Sequence, residues 1–194
     1  MKKFLPLAIL SVFAGVASAA SIQWTFSSGA ATIKASGSTT ALSGGTAYLI
    51  LASNLADIEG DINGGQSFAD IISGYALDSA AITSGKINPT TRTATSDKIT
   101  APNAYNFQVL IYDAAADQYY STTVKNQYAY DPTSADDAAQ IPTAITLNAT
   151  DLGATRGATA SSVTWKDGTV TVPEPATGAL ALAGVALLFK RRRA

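Results

Sequence analysis

The stretch 105–124 reads YNFQVLIYD AAADQ YYSTTV and decides the fold class of this chain. Two runs rich in aromatic and β-branched residues, Tyr105 to Asp113 and Tyr119 to Val124, flank a short connection, which is typical of a β-hairpin. Successive side chains of a strand alternate between its two faces. The face expected to point inward carries Tyr105, Phe107, Val109 and Ile111, and the opposite face carries Gln108, Leu110 and Tyr112. This hairpin predicts an antiparallel, mainly β fold.

Other segments extend the β pattern in both directions along the chain. Apolar residues alternate with polar ones over 22–27, as in a half-buried strand, whereas 46–52 (TAYLILA) is a continuous apolar run, typical of a strand covered on both faces. Asp167-Gly168 is a favourable two-residue turn, so 163–165 and 170–172 are predicted to pair as a hairpin. We therefore predict a two-sheet antiparallel sandwich, jelly-roll-like, with Trp24 and Trp165 meeting in its core.

One short helix is expected between the strands. Its apolar residues at helical spacing are Phe68, Ile71, Ile72 and Tyr75. Ser67 and Asp70 are spaced like a capping box in which Asp replaces the usual Glu. We expect this helix to cover one edge or end of the sheets.

The N-terminal residues 1–19 have the three parts of a secretory signal peptide. A basic start, Met1-Lys2-Lys3, precedes the apolar run 4–16, and small residues at Ala17, Ser18 and Ala19 form a cleavage motif before Ala20. Signal peptidase is therefore an expected partner. Its cut leaves an exported β-sandwich domain at 20–171.

The C-terminal residues 172–194 also have three parts. The first is Val172, Pro173, Glu174 and Pro175, the second is the apolar run 176–189, and the third is the basic stop Lys190, Arg191, Arg192 and Arg193. Fourteen helical residues rise about 21 Å, short of the roughly 30 Å of a bilayer core, which would suit a buried soluble helix. The basic end can instead lie among headgroups and stay cytoplasmic. We predict a single short transmembrane helix over 176–189.

These three parts, in this order, resemble the PEP-CTERM sorting signal of Gram-negative envelope proteins. The resemblance covers 172–194 alone and leaves the exported domain unassigned. It implies that exosortase, a membrane-embedded transpeptidase-like enzyme, reads 172–175 as substrate and removes the anchor during export. The implied location is the inner membrane transiently, and then the cell surface, the outer envelope or the medium.

Charge and composition exclude several classes of function. Between residues 20 and 172 there are seven basic and thirteen acidic residues, a net charge of −6. An acidic surface repels phosphate backbones, so nucleic acid is not an expected partner. The chain has no cysteine and no histidine, which excludes catalytic triads built on either residue and removes the commonest zinc ligand.

Acidic residues at alternate positions are the first candidate site. They are Asp57, Glu59 and Asp61, followed by Asn63. Such spacing suits calcium, but the glycine and terminal acid of an EF-hand are missing, so a solvated acidic turn is the competing interpretation. A glycosidase needs two placed carboxylates, and Gly64 stands where a glucanase-like motif would have its second Glu. We assign no catalytic, metal or cofactor residue.

Aromatic and hydroxyl residues form the remaining candidates. Five tyrosines fall within 112–130 and either stabilise the hairpin by cross-strand packing or form a sugar-stacking platform. Threonines at 91, 93 and 95 place hydroxyls on one face of a possible strand, as on ice-binding surfaces. Asn148-Ala149-Thr150 matches a glycosylation sequon.

The sequence thus predicts a non-enzymatic, exported envelope protein that exosortase sorts and trims. A structural or adhesive role in extracellular matrix is the first hypothesis. A carbohydrate-binding module that uses the tyrosine-rich hairpin, with or without calcium, is the alternative, and it would make extracellular polysaccharide a partner.

Overall fold

The computed structural model describes residues 19–27, 32–88, 91–133, 144–148, 150–152 and 163–171. The strands are β1 (Ala20–Ser27), β2 (Gly45–Leu51), β3 (Asp78–Thr83), β4 (Lys86–Asn88), β5 (Thr91–Ser96), β6 (Ala104–Asp113), β7 (Gln118–Ser121), β8 (Lys125–Tyr128), β9 (Ile145–Asn148) and β10 (Lys166–Asp167). The helices are a 3-10 turn (Ala52–Asn54), α1 (Leu55–Asn63) and α2 (Phe68–Tyr75). The mainly β prediction is confirmed.

A small sheet is built around β1, with the order β5-β1-β9. Strands β1 and β5 run antiparallel, whereas β1 and β9 run parallel. The alternation predicted for β1 is confirmed, because Ile22, Trp24 and Phe26 are buried while Gln23 and Thr25 are partly exposed. The parallel β1–β9 pair departs from a purely antiparallel sandwich, and no local sequence signal marked it.

A larger sheet has the order β10-β7-β6-β2-β3-β4, and β8 also pairs with β6. The hairpin predicted over 105–124 is confirmed as β6 and β7, with Tyr112 opposite Tyr119. Strands β7 and β8 lie along the same edge of β6. Where they are interrupted, the Thr122 hydroxyl accepts a hydrogen bond from the Val109 amide at 3.0 Å. A side chain thus satisfies a backbone donor that the ladder leaves unpaired.

The two sheets enclose one hydrophobic core. It includes residues from every described strand of the small sheet and, from the large sheet, Ala47, Leu49, Ala80, Ile82, Ile87, Phe107, Val109, Ile111 and Tyr120. Trp24 is completely buried there and contacts Phe26 edge-on at 4.9 Å between ring centroids. Burial of apolar area at about 25 cal/mol per Å² is the main stabilising term.

A helical layer covers the outer face of the large sheet. Ile58, Ile62, Phe68 and Ile72 from the two helices pack on Ile50, Leu110, Tyr112 and Tyr119 of the sheet. The predicted helix is confirmed as α2, with Ser67 at its N-cap, but the structure adds α1, and both helices cover a face of the sheet instead of an edge or end. The apolar run at 46–52 explains the layer, because β2 buries alternate residues against the small sheet and against the helices, as expected of a strand covered on both faces.

The hairpin predicted across Asp167-Gly168 was wrong. Lys166 and Asp167 form β10, which pairs antiparallel with β7, opposite Tyr119 and Gln118. Trp165 contacts Tyr120 edge-on at 4.7 Å, so the two tryptophans have different ring partners. Pairing to an existing sheet edge satisfies more backbone groups than an isolated turn.

The predicted targeting residues fall almost entirely outside the described part of the chain. Outside it lie Ala17, Val172, Pro173, Glu174, Pro175, Lys190, Arg191, Arg192, Arg193 and the predicted helix 176–189. Ala20, just after the predicted cleavage bond, is the first residue of β1 and is fully buried. None of the helices within the described ranges is long and apolar enough to cross a membrane.

Candidate functional site

The acidic residues at alternate positions do not form a turn or a shared site. They lie on α1, where residues two apart point about 200° from each other around the axis. Glu59 forms an ion pair with Lys166, and Asp61 accepts a hydrogen bond from the Tyr75 hydroxyl at 2.8 Å. In the described ranges, no three acidic side chains are grouped closely enough to hold a metal ion. The acidic-turn interpretation was wrong because the run is helical.

The tyrosine platform is also corrected by the structure. Tyr112, Tyr119, Tyr120 and Tyr130 are all at most 8% exposed, and Tyr128 is 57% exposed. The predicted alternation along β6 is correct, but its outer face packs under the helices instead of facing solvent. The cross-strand structural interpretation is the one that the geometry supports.

Three stacked rings form the centre of the helical layer. Phe68 lies 4.7 Å from Tyr112 and 4.8 Å from Tyr119 between ring centroids, both in stacked geometry. Burial raises the pKa of Tyr119 to about 12, with the Glu59 charge adding to it. Burial and a hydrogen bond to Asp117 raise the pKa of Tyr112 to about 12 as well. Both phenols therefore remain neutral hydrogen-bonding groups at physiological pH.

The predicted threonine row is present on the outer face of the small sheet. Thr91, Thr93 and Thr95 are exposed on one face of β5. The Thr95 hydroxyl lies 2.8 Å from that of Ser21, and the Thr91 hydroxyl lies 3.0 Å from that of Thr25. These cross-strand hydrogen bonds give the row a structural role in joining β5 to β1.

An ion pair with a partly buried carboxylate closes one side of the core. Arg92 donates two hydrogen bonds to Asp78, at 2.7 and 2.8 Å, and the Trp24 indole N–H donates a third at 2.8 Å. Burial alone would raise the pKa of Asp78, but these hydrogen bonds outweigh it and leave the pKa below its ordinary value. The group holds Trp24 in place and offers no free acid or base.

A small set of polar contacts holds the segment before the C-terminal tail against the domain. We call the contacts of Lys166, Asp167 and Gly168 the clasp. The Gly168 amide donates to the Asp117 carbonyl at 2.7 Å, and Gln118 Nε2 donates to Asp167 Oδ1 at 2.8 Å. With the ion pair from Lys166 to α1, the clasp joins this segment to the hairpin and to the helical layer.

Gly168 is the residue on which the clasp depends most. Its carbonyl accepts a hydrogen bond at 2.6 Å from the Phe68 amide, one of the N–H groups that the first turn of α2 leaves unpaired. A Cβ at position 168 would lie 2.4 Å from Asp117 Oδ1 and 3.0 Å from the Asp117 carbonyl oxygen. Any larger residue would therefore force Asp117 to move. The sequence pattern had assigned Gly168 to a turn and gave no indication of this contact.

A small open cleft of about 230 Å³ lies beside the clasp. It is lined by Glu59, Ile62, Asn63, Tyr119, Lys166, Asp167 and Val170. Its charged groups already have partners, since Lys166 pairs with Glu59 and Asp167 accepts from Gln118. The chain leaves the described domain at this cleft, directly ahead of the tail.

Comparison with known proteins identifies the tail and nothing else. Neither the curated proteins nor the solved structures contain a match to this chain. A family model described as the PEP-CTERM protein-sorting motif matches residues 171–194, as the sequence predicted. The match begins three residues after the clasp ends. The chain therefore carries a PEP-CTERM sorting motif at its C-terminal end, which indicates an exported, surface-directed protein that is sorted by exosortase.

Proposed function

We propose that this protein is a non-enzymatic component of the cell surface or extracellular matrix, with a structural or adhesive role after exosortase trims its tail. The observation that supports the proposal most is the sorting motif at 171–194, which only two residues separate from the last backbone hydrogen bonds of a firmly packed β domain. Signal peptidase is proposed to remove residues 1–19, and 176–189 to hold the precursor in the inner membrane.

The charged residues of the domain support a non-enzymatic role. Three acids are each bound to a side-chain partner: Glu59 to Lys166, Asp61 to Tyr75 and Asp78 to Arg92. No buried side-chain nitrogen or oxygen of the described residues lacks a hydrogen-bond partner. Such interactions stabilise the fold, and each would have to break before the same group could act on a substrate.

Intact mass spectrometry tests the sorting part of this proposal. Protein would be recovered from membrane, surface and medium fractions of cells that contain exosortase, as wild type and with Pro173, Glu174 and Pro175 replaced by Ala. We expect the wild type to lose its basic end and the variant to keep Arg191 to Arg193 in the membrane fraction. Wild-type protein that keeps this end in every fraction would contradict the proposal.

A matrix assay tests the structural or adhesive part. Cells that lack the protein would be compared with cells that carry it, by the mass of extracellular polysaccharide retained after washing. We expect less retained matrix without the protein, and recovery with the wild type but not with the Ala variant of 173–175. Equal retention in all strains would contradict a role in the matrix.

A further inference from the structure

The clasp and the sorting motif are too close to act independently. Residues 169–172 alone separate Gly168 from Pro173. A chain advances at most about 3.6 Å per residue, so these five steps span no more than about 18 Å. A domain of roughly 150 residues has a radius of gyration of about 15 Å. A domain of this radius is at least roughly 30 Å across, so the folded domain is wider than the tether is long.

We propose that the clasp is a steric gate on exosortase processing, an inference that rests on the proposed function. While the clasp is closed, the tether keeps the domain within about 18 Å of the motif that the membrane-embedded enzyme must reach. When it opens, the tether lengthens, because the next residue with a described packing contact is Trp165, on Tyr120. The eight steps from Trp165 to Pro173 span up to about 29 Å.

The composition of the clasp allows it to open without unfolding the domain. Strand β10 has two residues at the edge of the large sheet, and the side chains of both are exposed. Segments with few buried apolar contacts open locally at a small fraction of the global unfolding free energy. An exposed ion pair such as Lys166 with Glu59 adds little to hold the clasp shut.

A disulfide that locks the clasp is the first test. Gln118 and Asp167 face each other across β7 and β10, and the chain has no cysteine of its own, so Gln118→Cys with Asp167→Cys introduces a single possible bridge. We expect the locked full-length precursor to be cut at least about tenfold more slowly than the reduced form, because the bridge prevents the opening that cutting requires. Reductant should restore the rate, and each single-cysteine variant is the control.

A longer tether is the opposite test and leaves the clasp intact. Ten Gly/Ser residues inserted between Val170 and Thr171 keep the whole matched motif 171–194. We expect faster cutting than in the wild type. Gly168→Ala, whose added Cβ would push Asp117 away and weaken the clasp, should have the same effect. Lys125→Gln, which removes the ion pair with Asp151 and no contact of the clasp, should leave the rate unchanged.

The outcomes separate this inference from the function on which it rests. If wild-type precursor is never cut in cells with exosortase, the proposed function itself fails. If it is cut, but locked and lengthened forms are cut at the wild-type rate, the gate is refuted and the function stands. Slower cutting of the lengthened form also refutes the gate, because it would mean that the domain helps to present the motif.

Discussion

At the scale of single residues, Asp78 of β3 is bound by side chains from two strands of the small sheet. It accepts hydrogen bonds from Arg92 and from Trp24, and its side chain is 16% exposed. Removing the partner of such a hydrogen-bonded charged group lowers the free energy of unfolding by about 1.5–3 kcal/mol. Removing one member of an exposed ion pair lowers it by under about 1 kcal/mol. Because Arg92 donates two hydrogen bonds to Asp78, this pair is expected to matter more than the exposed Lys166–Glu59 pair.

We predict that Arg92→Ala lowers the free energy of unfolding by about 2 kcal/mol, because Asp78 then keeps its partial burial without a cation. Urea unfolding followed by tryptophan fluorescence measures the change. The matched control is Lys166→Ala, which removes the cation of the more exposed Glu59 pair and should cost under about 1 kcal/mol. Equal losses in the two variants would contradict the special role of Asp78.

The lowered pKa of Asp78 predicts a loss of stability at acid pH. Its pKa is lower in the folded protein than its ordinary value of 3.8, so its stabilising contribution is complete above that value and is lost as pH falls through the folded pKa. The unfolding free energy measured from pH 6 to pH 2.5 should fall less steeply in Asp78→Asn than in the wild type. Parallel curves would show that other carboxylates, such as Asp151, account for the acid sensitivity.

The raised pKa of Tyr119 predicts a loss of stability at alkaline pH. Its pKa is about 12 in the folded protein and about 10 when unfolded, so the folded state binds the proton more tightly. Stability should therefore fall as pH rises above 10 and level off near 12. In Tyr119→Phe this fall should be smaller, as measured by unfolding at pH 9, 10 and 11. Tyr128→Phe, which changes an exposed ring, is the control.

At the scale of elements, α2 depends on the capping box that the sequence indicated. The Ser67 side chain accepts from the Asp70 amide at 3.3 Å and donates to the Asp70 carboxylate at 2.5 Å. At the other end, Lys98 Nζ donates to the Gly74 carbonyl at 2.6 Å. Both ends of a helix of eight residues are thus satisfied, which allows a helix too short to be stable alone to pack on the sheet.

Loss of the cap should weaken this layer measurably. We predict that Ser67→Ala lowers the unfolding free energy by about 1 kcal/mol, the usual cost of removing a Ser N-cap. Thermal unfolding by far-UV circular dichroism gives the measurement, with Ser38→Ala in an exposed turn as control. A shift no larger than that of the control would mean that packing of Phe68 alone holds the helix.

At the scale of the whole molecule, the large sheet couples two clusters of buried residues. Its inner face belongs to the core shared with the small sheet, and its outer face belongs to the helical layer. Strand β2 contributes to both, with Leu49 on one side and Ile50 on the other. Loss of either cluster exposes one face of the same strands, so the layers are expected to unfold together.

We therefore predict a single cooperative transition. Fluorescence dominated by Trp24 in a Trp165→Phe variant reports the inter-sheet core, and circular dichroism at 222 nm reports the helices. The two midpoints in urea should coincide. An earlier helical transition would show that the outer layer is a separately unfolding unit.

The sequence by itself determined those features that depend on local pattern. The alternation of apolar and polar residues predicted the two faces of β1 and β6. Two apolar runs around a short connection predicted the β6–β7 hairpin. The capping residues marked the start of α2. The sorting motif was equally readable, because its recognition rests on an ordered run of residue types and not on a folded surface.

Tertiary structure alone decided which faces meet solvent and which strands are neighbours. The alternation along β6 correctly grouped Leu110 and Tyr112 on one face of the strand. Only the tertiary packing shows that helices cover this face and bury Tyr112. The helix over the acidic run did have a local signal in Leu55, Ile58 and Ile62, spaced i, i+3 and i+7, although its Asp and Gly residues are poor helix formers. The parallel β1–β9 pair and the clasp at Gly168 are contacts over long sequence separation, so no local pattern encodes them.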